Sequence, residues 1–218
     1  MRVRVAADIL AANDELALAN RALFDAHHLF ALNLISSPGA GKTTLLERTI
    51  ADLSKELRIA VIEGDIATSC DADRITAAGA AAVQINTDGG CHLDSRMIAR
   101  VLPQFDLERL DLLFIENVGN LVCPAEFALG EHVRAAILSV PEGDDKPLKY
   151  PVVFQRTDVV LVNKIDLLPF TDCDVEKIER QCRRLNPDVA LFRVSCRTGE
   201  GLQSWYDWLR ERSREVPG

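Results

Sequence analysis

Residues 34–44 read Leu-Ile-Ser-Ser-Pro-Gly-Ala-Gly-Lys-Thr-Thr, and this stretch decides the fold. An apolar run ends at Ser36, a glycine-rich segment follows, and a helical pattern begins at Lys42. A strand that leads through such a loop to Gly-Lys-Thr and a helix is typical of a phosphate-binding loop. Ser36 stands where the usual pattern has its first glycine, but the strand–loop–helix context favours a phosphate site over a chance match.

The loop Gly39-Ala40-Gly41-Lys42-Thr43-Thr44 supplies the groups that a bound phosphate chain needs. Its two glycines allow backbone torsions and close approaches that a side chain would block. The backbone amides of residues 39–44 can then surround phosphate oxygens, helped by the positive end of the helix. We predict that Lys42 lies near the β- and γ-phosphates and that the Thr43 hydroxyl ligates magnesium.

Outward from this stretch, strand and helix patterns alternate along the chain. Strands are predicted at 31–36, 58–63, 81–85, 111–116, 134–140, 158–162 and 189–194. Helices are predicted at 42–54, 70–78, 93–103, 174–185 and 201–213. This alternation predicts an α/β fold of the P-loop NTPase type, in which a mostly parallel sheet carries helices on both faces. Ligands of such folds bind at the carboxyl ends of the strands, where the motifs below fall.

A second motif, Asn163-Lys164-Ile165-Asp166, follows a predicted strand and selects the base. The Asp166 carboxylate can accept hydrogen bonds from N1–H and the 2-amino group of guanine, with the stem of Lys164 lying on the base. Adenine lacks both donors, and a buried unpaired carboxylate costs about 1–3 kcal/mol. Ser195-Cys196 follows another strand, and the amides there can contact the guanine carbonyl. These motifs together predict a GTP-binding domain.

Acidic residues end two predicted strands on the phosphate side. Asp65 ends the second strand and Glu116 the fourth. Magnesium bound to GTP takes one or two carboxylates, directly or through water, so both residues join Thr43 as predicted magnesium ligands. Lys42, Asp65 and Glu116 form the predicted catalytic set, in which Asp65 orients the attacking water. Glu63 is interpreted as a turn residue, and hydrolysis is expected to be slow because no Gln or Arg occupies a recognisable water-positioning slot.

Cys91, His92 and Cys123 form a second candidate site. Cys91 and His92 follow the third predicted strand, and Cys123 follows the loop that begins at Glu116. Thiolate and imidazole ligands suit zinc, nickel or copper rather than magnesium. Three ligands leave such a site open to water, a partner, or the same residues of a second subunit. Taken alone, the two cysteines are explained equally well as buried structural thiols.

Composition narrows the class of protein further. The 218 residues are 48% hydrophobic, which is ample for one packed core. A formal net charge of −8 and a pI near 5.1 argue against nucleic-acid binding. There is no apolar run of membrane-spanning length and no apolar signal-peptide core. We therefore expect a cytoplasmic protein without nucleic-acid or membrane partners, whose six cysteines are thiols or metal ligands.

The N-terminal pattern differs from the rest. Residues 2–5 alternate like an edge strand, and a helix is then predicted with Asn13 or Asp14 as its cap. We divide the chain into an N-terminal helical extension, 1–30, and a GTPase domain, 31–218. Residues 141–151 form the longest irregular and polar stretch.

Longer runs of the sequence resemble the HypB family, and they cover almost the whole chain. They are residues 36–44, 84–94, 116–124 (Glu-Asn-Val-Gly-Asn-Leu-Val-Cys-Pro) and 142–151. The resemblance implies a GTPase that inserts nickel during nickel–iron hydrogenase maturation and dimerises face to face through bound nucleotide. It implies GTP or GDP, magnesium, and nickel or zinc as ligands, with the metal at Cys91, His92 and Cys123. The implied partners are a HypA-type metallochaperone and the hydrogenase large-subunit precursor.

Residues 1–30 depart from many HypB sequences. Many members carry an N-terminal cysteine cluster or a histidine-rich stretch for nickel, whereas this segment contains no cysteine. We therefore expect another protein to supply the metal.

Three other classes share parts of the pattern. A urease-type nickel GTPase typically has Cys-Pro-His in place of the separated ligands, and a cobalamin-enzyme chaperone GTPase needs no thiol pair. A passive zinc- or nickel-binding protein with a vestigial nucleotide site would not turn over GTP.

Overall fold

The computed structural model describes residues 5–65 and 70–216, which form a seven-stranded parallel sheet covered by helices. The strands are β1 (Phe30–Ser36), β2 (Ile59–Asp65), β3 (Ala81–Asn86), β4 (Leu112–Glu116), β5 (Val133–Ser139), β6 (Val159–Asn163) and β7 (Ala190–Arg193). The helices are α1 (Val5–Ala26), α2 (Lys42–Leu53), α3 (Cys70–Ala78), α4 (Ser95–Val101), α5 (Lys146–Lys149), α6 (Pro151–Gln155), α7 (Val175–Leu185) and α8 (Leu202–Arg214). The predicted α/β fold is confirmed.

The order of strands places β1 at the centre of the sheet, in the sequence β3-β2-β4-β1-β5-β6-β7. The chain moves outward from β1 to β3, returns through β4, and then adds β5, β6 and β7 on the other side. The carboxyl ends of β1, β4 and β5 therefore meet where the direction reverses. Open parallel sheets bind their ligands at such a point.

Alternate residues of β1 serve the two faces of the sheet, and all of them are buried. Leu32 and Leu34 join the apolar cluster beneath α2, α3 and α8, where Trp205 is fully buried. Ile35 and Ala31 point to the opposite face and join clusters that include side chains of α1, α4, α6 and α7. Burial on both sides explains the nearly continuous apolar runs of these strands.

Helix α1 begins earlier than the sequence predicts. The predicted cap at Asn13 or Asp14 is wrong, since the helix continues from Val5 to Ala26. Asn13 is buried, donates to the Ala128 carbonyl at 2.8 Å and accepts from the Ser95 amide at 2.9 Å, so it attaches α1 to α4. Val5 is helical, contrary to the predicted edge strand, whose other positions lie outside the described residues.

Residues 141–151 are more regular than predicted. A 3₁₀ helix at Val140–Glu142 is capped by reciprocal hydrogen bonds between Ser139 and Glu142, and α5 and α6 follow. Each of these short helices carries a proline in its first turn, a position that needs no amide donor. Elements this short show no helical periodicity, which is why the sequence pattern missed them. No helix within 5–65 and 70–216 is long and apolar enough to cross a bilayer.

Candidate nucleotide and metal site

The phosphate loop joins β1 to α2 and depends on its glycines. Gly39 and Gly41 have φ angles of 76° and 103°, which side-chain-bearing residues rarely adopt. A Cβ atom at Gly41 would also lie 2.5 Å from Nδ2 of Asn163. Position 41 therefore requires glycine for two separate reasons.

Lys42 and Thr43 are the first two residues of α2, and both are buried. The Lys42 ammonium donates to Ser36 Oγ at 2.9 Å, so the serine in the unusual first position binds the lysine. The Thr43 hydroxyl donates to Glu116 Oε1, also at 2.9 Å. Both side chains line a cavity of about 470 Å³ at the carboxyl end of β1.

The three predicted magnesium ligands face this same cavity. Thr43 and Glu116 are hydrogen-bonded across it, and Asp65 lies on its wall at the end of β2. Hydroxyl and carboxylate oxygens are the ligands that magnesium prefers, so these residues fit the ion.

The sequence pattern gave a wrong prediction for one residue of the cavity wall, Glu63, and did not identify another, Arg74. Glu63 is not a turn residue, because β2 continues to Asp65 and Glu63 is only 2% exposed within the strand. Arg74 of α3 also lines the cavity, where its guanidinium binds Glu47 at 2.7 Å and lies 3.4 Å from the Thr44 hydroxyl. No local motif marks an arginine that reaches the cavity from a separate helix.

Asn163 and Lys164 form hydrogen bonds that hold neighbouring loops together around the phosphate cavity. Asn163 Nδ2 donates to the Ala40 carbonyl at 3.0 Å, and its Oδ1 accepts from the Cys196 amide at 3.2 Å. The backbone of Lys164 has a left-handed conformation with φ 62°, and its side-chain ammonium donates to the Gly39 carbonyl at 2.7 Å. The Asn163 side chain thus joins the phosphate loop to the loop after β7.

A second cavity of about 470 Å³ lies beside the first, and Asp166 and Cys196 line it. Asp166 Oδ1 accepts from the Ser195 hydroxyl at 2.7 Å, and Oδ2 lies 3.9 Å from Arg197. Burial raises the pKa of the Cys196 thiol to about 11, so this cysteine is neutral at pH 7. The hydrogen bond from Ser195 thus holds the Asp166 carboxylate in the lining of a cavity that has room for a purine base.

The structure brings Cys91, His92 and Cys123 together although they come from separate segments. Cys91 and His92 lie between β3 and α4, whereas Cys123 begins a 3₁₀ helix (Cys123–Ala125) after β4. The Sγ atoms of the cysteines are 2.8 Å apart, and the three ligand atoms all lie within 4.8 Å of one another. The His92 ring stacks on Phe127 with 3.9 Å between centroids.

The protonation of these ligands suits a soft metal. Burial lowers the pKa of His92, so its imidazole is neutral at pH 7, the form that binds metals. The hydrogen bond to Cys123 and burial raise the pKa of the Cys91 thiol, so metal binding at neutral pH displaces a proton. Sulfur and imidazole ligands favour nickel, zinc or copper over magnesium.

Comparisons with known proteins identify a matching family and similar chains. Residues 30–193 match the family described as CobW/HypB/UreG, nucleotide-binding domain. The hydrogenase maturation factor HypB of Azotobacter chroococcum is 57% identical over 97% of this chain and 69% of its own length. The crystal structure of HypB from Archaeoglobus fulgidus is similar with a TM-score of 0.87 and 38% identity, over 93% of this chain and 99% of that one. HypB from Helicobacter pylori in complex with nickel has a TM-score of 0.88 and 39% identity, over 95% and 98% of the two chains.

Proposed function

Because the chain belongs to the HypB family of hydrogenase maturation factors, we propose that it is a GTP-hydrolysing metallochaperone that delivers nickel to the large-subunit precursor of a nickel–iron hydrogenase. The observation that carries this proposal is the loop from Glu116 to Cys123, since it begins in the phosphate cavity and ends at a thiol–imidazole cluster. We place this activity in the cytoplasm, where thiols stay reduced.

The phosphate cavity supports the first part of the proposal. The amides of residues 39–44 bind the phosphates, and Lys42 neutralises charge on the group that is transferred. Thr43, Asp65 and Glu116 would hold magnesium, which supplies positive charge to the phosphates when bound. Asp65 orients the attacking water. Turnover is expected to be slow because no glutamine stands at a recognisable water-positioning position of the sequence.

The base cavity supports GTP as the substrate. Asp166 accepts the two donors of the guanine edge, and the Ser195 hydroxyl at 2.7 Å holds the carboxylate in place. The stem of Lys164 covers the base, while Asn163 and Cys196 hold the surrounding loops together. A buried acceptor left unpaired by adenine gives the discrimination.

Nickel is the cargo in this scheme, and Cys91, His92 and Cys123 are its ligands. The Helicobacter pylori relative was solved in complex with nickel, which supports the choice of metal. Three ligands leave the site open, so a second subunit or a partner can complete it. A HypA-type metallochaperone supplies the metal. In the domain division that we propose, residues 1–30 are an N-terminal extension and residues 31–218 are the GTPase domain.

GTP with magnesium drives formation of a homodimer, and hydrolysis reverses it. Residues 144–149 are our candidate for the segment that reaches the facing subunit. In a dimer joined through nucleotide, GTP hydrolysis would separate the subunits and so change the surroundings of both metal sites.

Titration of nickel into the GDP-bound and GTP-analogue-bound protein tests the proposal, together with GTP hydrolysis measured with and without nickel. We expect turnover of GTP and different nickel affinities in the two nucleotide states. A protein that binds nickel but hydrolyses no GTP would instead be a passive metal-binding protein. Equal nickel affinities in both states would leave a GTPase whose metal site is not controlled by nucleotide.

A further inference from the structure

A buried amide connects the phosphate side of the sheet to the first metal-ligand segment. Asn117 directly follows Glu116 and is 1% exposed. Its Oδ1 accepts from the backbone amide of Leu93 at 3.1 Å and from that of Val118 at 3.0 Å. Leu93 directly follows His92, so the Asn117 side chain holds the Cys91–His92 segment by its backbone.

A second branch leads from the same amide to the other ligand segment. Its nitrogen donates to Asn33 Oδ1 at 3.2 Å, and Asn33 Nδ2 donates to Glu131 Oε1, also at 3.2 Å. Glu131 Oε1 accepts from Arg134 at 2.8 Å, and Arg134 Nη1 donates to the Ala125 carbonyl at 3.1 Å. Ala125 ends the 3₁₀ helix that begins with Cys123. One chain of hydrogen bonds therefore reaches both segments that carry metal ligands.

Burial makes the members of this network dependent on one another. Asn33 and Asn117 are 0% and 1% exposed, and Glu131 is 8% exposed. Water cannot replace a lost partner at such positions, so a buried donor or acceptor that moves alone is left unsatisfied. If the end of β4 at Glu116 is displaced, the groups hydrogen-bonded to Asn117 must therefore move with it, or those hydrogen bonds break.

An apolar contact joins Leu93 to the other acidic strand end as well. Leu93 is fully buried, and a Cβ atom at Gly64 would lie 2.7 Å from its Cγ. Gly64 directly precedes Asp65, so Leu93 touches the neighbours of both carboxylates that face the phosphates. The residue after the metal ligand His92 is thus held between β2 and β4.

We propose that Asn117 is a positioning residue that transmits the nucleotide state to the nickel site, through Leu93 to Cys91–His92 and through Asn33, Glu131 and Arg134 to Cys123. This inference rests on the proposed function, because it requires that nickel affinity differ between the nucleotide states. Asn117 lies on the wall of the phosphate cavity, but its side chain is hydrogen-bonded to Leu93, Val118 and Asn33 and is not a proposed ligand of magnesium or nickel. Its effect is to make the two ligand segments move with Glu116.

The test is nickel affinity measured by chelator competition in the full chain, with GDP and with a non-hydrolysable GTP analogue, each with magnesium. The ratio of the two affinities is expected to be about 5–150-fold in the wild type, the usual range for coupled sites. Asn117→Ala removes both branches, and its ratio is expected to fall to within about twofold of unity. Its affinities for GDP and for nickel in the GDP state should stay within about threefold of wild type, because no ligand atom is lost.

A matched control is Tyr206→Phe, which removes a partly buried hydrogen bond from Tyr206 of α8 to Asp52 of α2. Its ratio should equal that of wild type, which separates coupling from a general loss of stability. Asn33→Leu cuts only the branch to Cys123, and we expect the ratio to fall by at least about threefold. This second variant decides the question if Asn117→Ala does not fold.

Each outcome is decisive. A wild-type ratio in Asn117→Ala, or in Asn33→Leu if the former does not fold, would overturn the inference and leave the proposed function standing. Loss of nickel binding in both nucleotide states would also overturn it, since Asn117 would then merely support the metal site. A ratio of unity in the wild-type protein would contradict the proposed nucleotide control, and the inference with it.

Discussion

In the proposed function, the choice of nucleotide depends on one side chain, that of Asp166. Asp166→Asn turns an acceptor into a donor that faces the N1–H or 2-amino group of guanine. We expect the preference for GTP over ATP to fall by at least about tenfold, corresponding to about 1–3 kcal/mol. Competition among GTP, ATP and XTP measures the change. Ser195→Ala is the matched control, because it removes the supporting hydroxyl but keeps the carboxylate, and its loss should be smaller.

An unchanged GTP-to-ATP ratio in Asp166→Asn would remove the base assignment. A larger loss in Ser195→Ala than in Asp166→Asn would place the discriminating group in the loop after β7 instead.

We expect the residues of the phosphate cavity to have separable roles. Lys42→Ala should abolish GTP turnover, because it removes positive charge from the transferred phosphoryl group. Asp65→Ala and Glu116→Ala should reduce magnesium-dependent hydrolysis more than they weaken GDP binding. Phosphate release and GDP affinity, measured over a magnesium series, distinguish the two effects. Glu56→Ala is a suitable control, since this exposed carboxylate is paired with Arg210 away from the cavity. Wild-type turnover in Asp65→Ala would contradict its role in orienting water.

At the scale of elements, His132 joins α1 and β1 at the start of β5. Its Nδ1 accepts from the Ala31 amide at 3.0 Å, and its Nε2 lies 2.9 Å from Asp25 Oδ1. Burial lowers the pKa of His132, although the hydrogen bond to Asp25 opposes that shift. Below pH ~6.5 the unfolded chain therefore takes up a proton that the native histidine resists.

Native stability should consequently decline as the pH falls from about 6.5 towards the lower native pKa of His132. His132→Asn keeps an acceptor for the Ala31 amide but does not titrate, so its stability should decline less over this pH range. Urea denaturation at a series of pH values measures the difference. His28→Asn serves as the control, because His28 is exposed. Equal pH dependence in wild type and His132→Asn would show that another group is responsible.

Elements were predictable where a single segment carries the signal. The seven strands of the described chain were predicted because most of their residues are buried or partly buried in apolar layers. The start of α1 was not predicted correctly, because Asn13 is of a residue type common at helix caps but instead forms tertiary hydrogen bonds with Ala128 and Ser95. The short helices α5 and α6 were not predicted, because a single helical turn shows no hydrophobic periodicity.

The candidate site divides in the same way. The phosphate loop and the thiol–imidazole trio follow from residue types at recognisable positions. The network behind them does not, because Asn117 and Asn33 are 84 positions apart and Asn33 and Glu131 are 98 apart. Such bonds become visible only when the strand order is known.

At the scale of the whole molecule, nucleotide is expected to control the number of subunits. Light scattering should give the mass of a dimer with a GTP analogue and magnesium, and that of a monomer with GDP. Lys149→Ala should weaken the dimer more than Lys146→Ala. The Lys149 side chain is 60% exposed and pairs with the exposed Asp145. The Lys146 side chain is 20% exposed and lies near Glu142 and over the Tyr150 ring.

A surface pair such as Lys149–Asp145 is weak, so the lysine can leave it for a phosphate of the facing subunit at little cost. A single mass in both nucleotide states would contradict nucleotide-driven dimerisation. Equal effects of the two lysine variants would contradict the assignment to Lys149.

If Cys91, His92 and Cys123 hold nickel as proposed, the exposed position of Cys91 beside the stacked ring of His92 sets the side from which an acceptor would reach the ion. In the proposed scheme, a thiolate or imidazole of an acceptor would approach on the Cys91 side while His92 would still hold the ion. Ligands would then be exchanged one at a time, and the ion would pass between proteins without being fully hydrated. The speed of transfer would follow the concentration of the acceptor rather than spontaneous dissociation, so nickel would stay bound until an acceptor is present.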